Sequence, residues 1–250
     1  MKFGPERLQK RLAIENKTGI VLLARMSSSR LPGKALRQIE GKESILYILE
    51  KLLQVVPAEQ IILATSSESS DDPLADFVAQ QGIAVYRGSL DKVAERFYQA
   101  GLQLNCDYLC RMNGDNIFLD SHLLQQMLAL SNSGNYDFIS NVKDRSYPKG
   151  MSVEIVRTTY FENLLPEILA DAYYTEHVMP LVYERLNSGS YYFQMNTEFP
   201  EAAGLQLALD TAEDFKRTEW MMQQANLPHT KLGLKELLHL YQNYEQSTTR

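Results

Sequence analysis

Three cations and three serines share one ten-residue stretch, Arg25-Met26-Ser27-Ser28-Ser29-Arg30-Leu31-Pro32-Gly33-Lys34, and those residue types have the means to hold a polyphosphate. Arginine grips phosphate through two parallel hydrogen bonds, and lysine acts as a mobile point charge. Small or hydroxylated residues let backbone N–H groups approach phosphate oxygens. The stretch is not an ordinary P-loop, which needs a glycine, four residues, then Gly-Lys and a Ser or Thr. Ser28 stands where the first glycine belongs, and Ala35 follows Lys34. By spacing alone, a solvated basic turn between a strand and a helix accounts for it as well.

Two aspartates occupy comparable places. Asp115 follows Asn113-Gly114 after the strand-like run 108–112, so its carboxylate should emerge at the same sheet edge as the 25–34 loop. Asp210 ends the apolar run 205–209 and precedes a helical stretch. Magnesium takes hard oxygen ligands, usually one or two carboxylates with substrate phosphates. A turn or cap aspartate is the other reading of each, and nothing in the spacing brings the two together.

Other polar groups have two readings each. Arg111, on the run leading to Asp115, would neutralise phosphate or carboxylate charge, or form a core salt bridge. Arg87-Gly88-Ser89 would line a ligand pocket, or be a strand-to-helix turn with Ser89 as cap. Histidine as a side-chain type suits proton transfer near neutral pH, and one stands at His177 in Thr175-Glu176-His177-Val178. The pattern lacks the second histidine of the metalloprotease motif, so Glu176 and His177 read as pocket-shaping groups rather than proton carriers. In residues 143–150, Lys143, Arg145 and Lys149 lie close together, Pro148 limits the freedom of the loop and Gly150 permits a sharp turn. That segment would present Lys149 to an anion, or be a solvated surface loop.

The elements that must position these groups follow from periodicity. Apolar runs at 19–24, 61–64, 83–86 and 107–112 read as strands. Ile45, Leu46, Leu49, Leu52 and Leu53 fall on one helical face, and further helices are expected near 72–80 and 90–104. Such alternation predicts a largely parallel sheet with helices on both faces. Asp120 or Ser121 should cap the next helix, followed by a strand at 136–140. Beyond it, strands at 151–156 and 191–195 surround helices at 158–169 and 175–186, and 205–209 reads as a buried strand. Thr211 with Asp214 resembles a capping box opening the last long helix.

Composition bounds the function. At 250 residues and 44% hydrophobic content, one large α/β domain over 18–250 after a short helical extension of residues 1–17 is the simplest division. A formal charge of −6 argues against bulk nucleic-acid binding, so any polyanion must be met locally. No apolar run approaches the roughly 18 residues of a membrane span. Cys106 and Cys110 are the only cysteines; they suit structural thiols in a reducing cytoplasm better than a zinc site or a disulfide framework.

Residues 24–34 resemble the Ala-Arg-Met-Gly-Ser-Thr-Arg-Leu-Pro-Gly-Lys signature of the spore-coat-polysaccharide-type cytidylyltransferases, relatives of the CMP-sugar-acid (acylneuraminate and KDO) synthetases. Further blocks follow in that family's order: Asp71-Asp72-Pro73, Tyr86-Arg87-Gly88-Ser89, residues 111–115, Ser140-Asn141, Tyr147-Pro148-Lys149-Gly150, Val153-Glu154, Glu176-His177-Val178 and residues 209–215. The similarity runs from about Thr18 to Trp220. It implies a three-layer αβα nucleotide-diphospho-sugar transferase fold, Rossmann-like, with a mixed central sheet. The activity implied is magnesium-dependent transfer of CMP from CTP to a sugar acid or related glycan precursor, with release of pyrophosphate, and a homodimer is compatible with it. Nucleotide binding would fall to Ala24, Arg25, Met26, Ser27, Ser28, Arg30, Lys34, Arg87, Ser89 and Asp115. Acceptor binding would fall to Lys149, Glu154, Glu176 and His177. Asp115 and Asp210 would hold Mg2+ and, with Lys34 and Arg25, form the catalytic set. The chain departs from the signature where Ser27 replaces glycine and where Asn116-Ile117 replaces the usual Cys-Pro pair. A pyrophosphorylase acting on a sugar or polyol phosphate, a metal-dependent glycosyltransferase, and a catalytically silent homologue are the alternative readings.

Overall fold

The computed structural model describes residues 16–248. Of the expected 1–17 extension, all but Asn16 and Lys17 lie outside the described residues. The first half alternates β1 (Thr18–Leu23), a small hairpin of β2 (Gln38–Ile39) and β3 (Lys42–Glu43), α1 (Ser44–Leu53), β4 (Ile61–Ser66), α2 (Asp72–Gln80), β5 (Ala84–Gly88), α3 (Val93–Gln103) and β6 (Tyr108–Asn113). The second half carries α4 (Ser121–Asn132), β7 (Phe138–Ser140), β8 (Glu154–Arg157), α5 (Thr158–Leu169), α6 (Ala172–His177), α7 (Pro180–Glu184), β9 (Tyr191–Phe193), α8 (Ala212–Gln224) and α9 (Leu234–Thr248).

Seven strands form one sheet in the order β5-β4-β1-β6-β8-β7-β9. Pairing is parallel except at β8, which runs antiparallel to both β6 and β7, so the sheet is mixed. Strand side chains alternate between two cores, as a period of two requires. Ile20, Leu22, Ile61, Leu63, Cys110 and Met112 pack with α1, α2 and α4 on one face, while Val21, Ile62, Ala64 and Leu109 pack with α3, α5 and α7 on the other. The result is the three-layer αβα architecture. A third cluster joins α8 and α9 to Phe118, Met151 and Leu207.

Several elements depart from expectation. Residues 205–209 are buried at Leu207 and Leu209 but are not a strand of the sheet. They make only an isolated bridge between Gln206 and Lys149, with Lys149 N–H donating to Leu205 O at 2.8 Å and Leu207 N–H to Lys149 O at 2.9 Å. An apolar run reports burial, and burial alone does not say which edge is paired. The expected helix 175–186 breaks at Val178 (φ 72) before Pro180, which opens α7. The strand expected at 151–156 starts only at Glu154 and runs on to Arg157, and Ser89 does not cap α3, whose first residue is Val93. The helix opened by Thr211 is followed by one more, α9, whose Leu234 N–H donates to Asp120 Oδ2 at 3.2 Å. Asp120 also caps α4 through Oδ1, so one carboxylate serves two helix starts. Cys110 is fully buried and Cys106 only partly. No helix among the described residues is long and apolar enough to cross a membrane.

Candidate active site

The 25–34 loop leaves β1 at the carboxyl edge of the sheet, where α/β proteins bind ligands. It curls over its own Met26, whose carbonyl accepts from Ser28 N–H and Gly33 N–H, both at 2.9 Å. The loop is pinned from the next strand's exit: the fully buried Asp71 accepts Met26 N–H at 2.7 Å through Oδ1, and Thr65 Oγ1–H and Ser66 N–H at 3.0 Å through Oδ2. Burial pushes the Asp71 carboxyl up, but the hydrogen bonds from Ser66, Met26 and Thr65 outweigh it and hold the group below the usual aspartate range. A depressed pKa stabilises the fold above the unfolded value, about 3.9, and that contribution fades as pH falls through the lower, folded value. Asp71→Asn should therefore cost about 1–3 kcal/mol near neutral pH and show a smaller loss of stability on acidification than the wild type. Thermal unfolding across pH checks it; parallel curves for the two proteins would refute it.

Asp115 reaches the same edge because β6 ends hard against β1. Gly114 N–H donates to Leu23 O at 2.8 Å, and a Cβ on Gly114 would lie 2.5 Å from that of Ala24, so only glycine fits there. Asp210 arrives from far along the chain. Leu209 N–H donates to Asp115 O at 3.1 Å, and Gly150, at φ +93, lets the 149–150 backbone run so close that a Cβ would fall 2.5 Å from Ala208 N. The two carboxylates converge on one ammonium: Lys34 Nζ lies 3.0 Å from Asp115 Oδ2 and 3.1 Å from Asp210 Oδ1. Arg30 Nη2 is also 3.1 Å from Asp210 Oδ1. Burial raises the pKa of Asp210, but Lys34 first and then Arg30 and Gln206 override it and hold the carboxyl below its ordinary value.

That donor set bears on a metal. Among the described residues no cluster of three or more His, Cys, Asp or Glu could enclose an ion. Two carboxylates that reach a single cation instead fit magnesium, which completes its shell with water and substrate phosphate.

A cavity of about 390 Å³ opens above these groups. Ala24, Arg25, Ser28, Arg30 and Lys34 line it from the loop, Asp115 and Asp210 from below, and Glu176 and His177 from α6. Five cations, with Arg96 and Arg111 added, face three carboxylates there, in a chain that is acidic overall. Other candidates lie elsewhere. Met26 and Ser27 are outside the lining, and Arg87 is turned to Asp72 (2.6 Å) and to the carbonyls of Ser66 and Glu68, with Ser89 beside it outside the cleft.

Glu154 lines a second cavity of about 520 Å³ with Lys143, Arg145 and Tyr183, and this cavity shares Arg111 and His177 with the first. Lys149 lines neither. A roomier cavity, about 720 Å³ between α4, α9 and residues 194–199, contains neither aspartate nor the loop. Sequence reasoning overlooked Arg96, whose Nη1 donates to Ser89 O and Leu90 O and whose guanidinium affinity for its proton is lowered by burial and by the like charge of Arg25. The available signal was a charge on the buried face of α3, beside Ala94 and Phe97.

The sequence model of the family described as Cytidylyltransferase matches residues 19–245. The spore coat polysaccharide biosynthesis protein SpsF of Bacillus subtilis (strain 168) is 29% identical over 214 residues, covering 82% of this chain and 86% of SpsF. Among solved structures, a cytidylyltransferase from Leptospira borgpetersenii serovar Hardjo-bovis (strain JB197) has a TM-score of 0.84 at 27% identity, covering 92% of this chain and 96% of that one. CMP:2-keto-3-deoxy-manno-octonic acid synthetase complexed with CTP has a TM-score of 0.62 at 18% identity, covering 83% and 99%. At that identity the likeness is one of fold.

Proposed function

This chain belongs to the cytidylyltransferase family, as the match over residues 19–245 shows, and from that premise we propose that it transfers CMP from CTP to a hydroxyl of a sugar acid or related acidic glycan precursor. The observation that carries the reading is the meeting of Lys34 with Asp115 and Asp210 beneath a cation-lined cleft.

The acceptor oxygen forms a bond to the α-phosphorus while the bond from that phosphorus to the bridging oxygen breaks. Pyrophosphate leaves with the electron pair, and the hydroxyl proton passes to water. Little covalent work falls to the protein in such a transfer; positioning and charge stabilisation dominate. Arg25, Arg30 and Lys34 bind the triphosphate and neutralise the departing pyrophosphate, while Ser28 contributes its hydroxyl, its backbone N–H being held by Met26 O. A magnesium ion held by Asp115 and Asp210 would neutralise phosphate-oxygen charge when bound.

The acceptor enters through the second cavity, where Lys143 and Arg145 meet its anionic group. Glu176 and His177 shape the mouth toward the nucleotide. Lys149, lining neither cavity, supports the 149–150 turn through its backbone.

A panel pairing the four nucleoside triphosphates with sugar acids, sugar phosphates and neutral sugars, read by pyrophosphate release, tests the reading. Release from CTP with an acidic sugar supports it. Preference for a sugar phosphate would make the protein a pyrophosphorylase, and nucleoside diphosphate released from a nucleotide sugar would make it a glycosyltransferase.

A further inference from the structure

We propose that Arg111 is a catalytic residue of this transfer: its guanidinium, held at the wall between the two cavities, contacts the phosphoryl group as the acceptor attacks it. The inference rests on the transfer reading above.

Arg111 and Glu154 are direct partners across the antiparallel β6–β8 ladder, so the fold sets their side chains against each other. Arg111 Nη1 lies 2.5 Å from Glu154 Oε2. The other Glu154 oxygen accepts from Tyr183 O–H at 2.8 Å, and Tyr183 O is 2.6 Å from Ser140 Oγ. Burial and the Glu154 charge raise the Tyr183 pKa, so the phenol keeps its proton and remains a donor. Glu154 is thus engaged through both oxygens and nearly fully buried, its side chain 5% exposed, while that of Arg111 is 19% exposed.

A guanidinium has five donors. Among the described residues Arg111 spends only Nη1 on the protein: Nε is buried without a partner, and Nη2, which donates to no protein group, is the donor left for a ligand. Arg111 is also one of two residues, with His177, that line both cavities. A nucleotide in the first and an acceptor in the second bring the reacting phosphorus to this shared wall. A preorganised cation there acts on charge that develops as the new bond forms, which favours the transition state over the bound substrates. Stability alone is a weak reason for the pair, since well-packed apolar residues often serve a core at least as well. Glu154 and Tyr183 are positioning residues, acting through Arg111.

The test compares wild type, Arg111→Lys, Arg111→Gln, the double variant Arg111→Gln/Glu154→Gln, which leaves no uncompensated buried charge, and Tyr183→Phe. Each is measured for kcat and acceptor KM by pyrophosphate release, for CTP binding by calorimetry, and for thermal unfolding. Arg111→Gln, or the double variant if the single one is unfolded, should lose roughly 10² to 10³ in kcat with CTP affinity within about twofold of wild type. Arg111→Lys should recover part of the loss, and Tyr183→Phe should lose about tenfold in kcat without weakening CTP, because the guanidinium is less firmly held. A folded variant lacking Arg111 with wild-type kcat overturns the assignment. So does a CTP affinity that falls as far as kcat/KM, which would mark a ground-state contact. An active wild type with an unimpaired variant refutes this role alone, whereas a wild type inactive across the whole panel refutes the transfer reading and this role with it.

Discussion

Replacing Asp115 or Asp210 by asparagine should lower kcat by about 10² to 10⁴ while leaving the protein folded, because each step of about 1.4 kcal/mol in the barrier is tenfold and a catalytic metal supplies several. Asparagine keeps the size of the side chain and removes the charge. Both carboxylates are partly solvated, with side chains 21% and 20% exposed, so the Lys34 ammonium left behind can rehydrate and the fold survives. Neither substitution touches the contacts that place the residues, which are the backbone bonds Gly114 N–H to Leu23 O and Leu209 N–H to Asp115 O. The measurements are turnover against magnesium concentration and binding of manganese, as a spectroscopic substitute, in the presence of CTP. Near-normal turnover of Asp115→Asn at saturating magnesium, or undiminished manganese binding, would remove these two residues from the metal site.

Lys34→Ala should weaken CTP binding by roughly tenfold to a hundredfold, the equivalent of one charged hydrogen bond worth about 1.5–3 kcal/mol. The same substitution should raise the pKa of Asp210, since Lys34 is the largest of the influences that lower it. The sign follows from linkage: a depressed carboxyl pKa stabilises the fold above the unfolded value and loses that contribution as pH falls through the folded one. With the depression reduced, the variant should be less stable than wild type near neutral pH and converge with it in acid. Calorimetry with CTP and with pyrophosphate, alongside thermal unfolding across pH, gives both readouts. Unchanged affinity in a folded variant would reduce the loop to a basic turn.

The amino-acid order determined most of what depends on near neighbours, the break at Val178 and the failure of Ser89 to cap α3 excepted. The alternation of β1, α1, β4, α2, β5, α3 and β6 is written in apolar periods, and α2 begins and ends where the pattern places it, at Asp72 and Gln80. The Thr211–Asp214 capping box forms within a single turn. The 25–34 loop and Asp115 lie at strand exits, so their arrival at one sheet edge followed from the parallel arrangement itself. What only tertiary structure decided are meetings between residues far apart in the chain. Asp210 joins Asp115 and Lys34 through a segment that reads as a strand but is held by one bridge to Lys149 and by the bond from Leu209 N–H to Asp115 O. Asp120 caps α9 across more than a hundred residues, and Arg87 is drawn away from the cleft by Asp72 and two carbonyls. Arg111 meets Glu154 only because β8 runs antiparallel beside β6. Periodicity and capping act over a few residues, where backbone geometry fixes which side chains are adjacent; these long-range contacts exist only once the cores on both faces of the sheet have closed and set which side chains face one another.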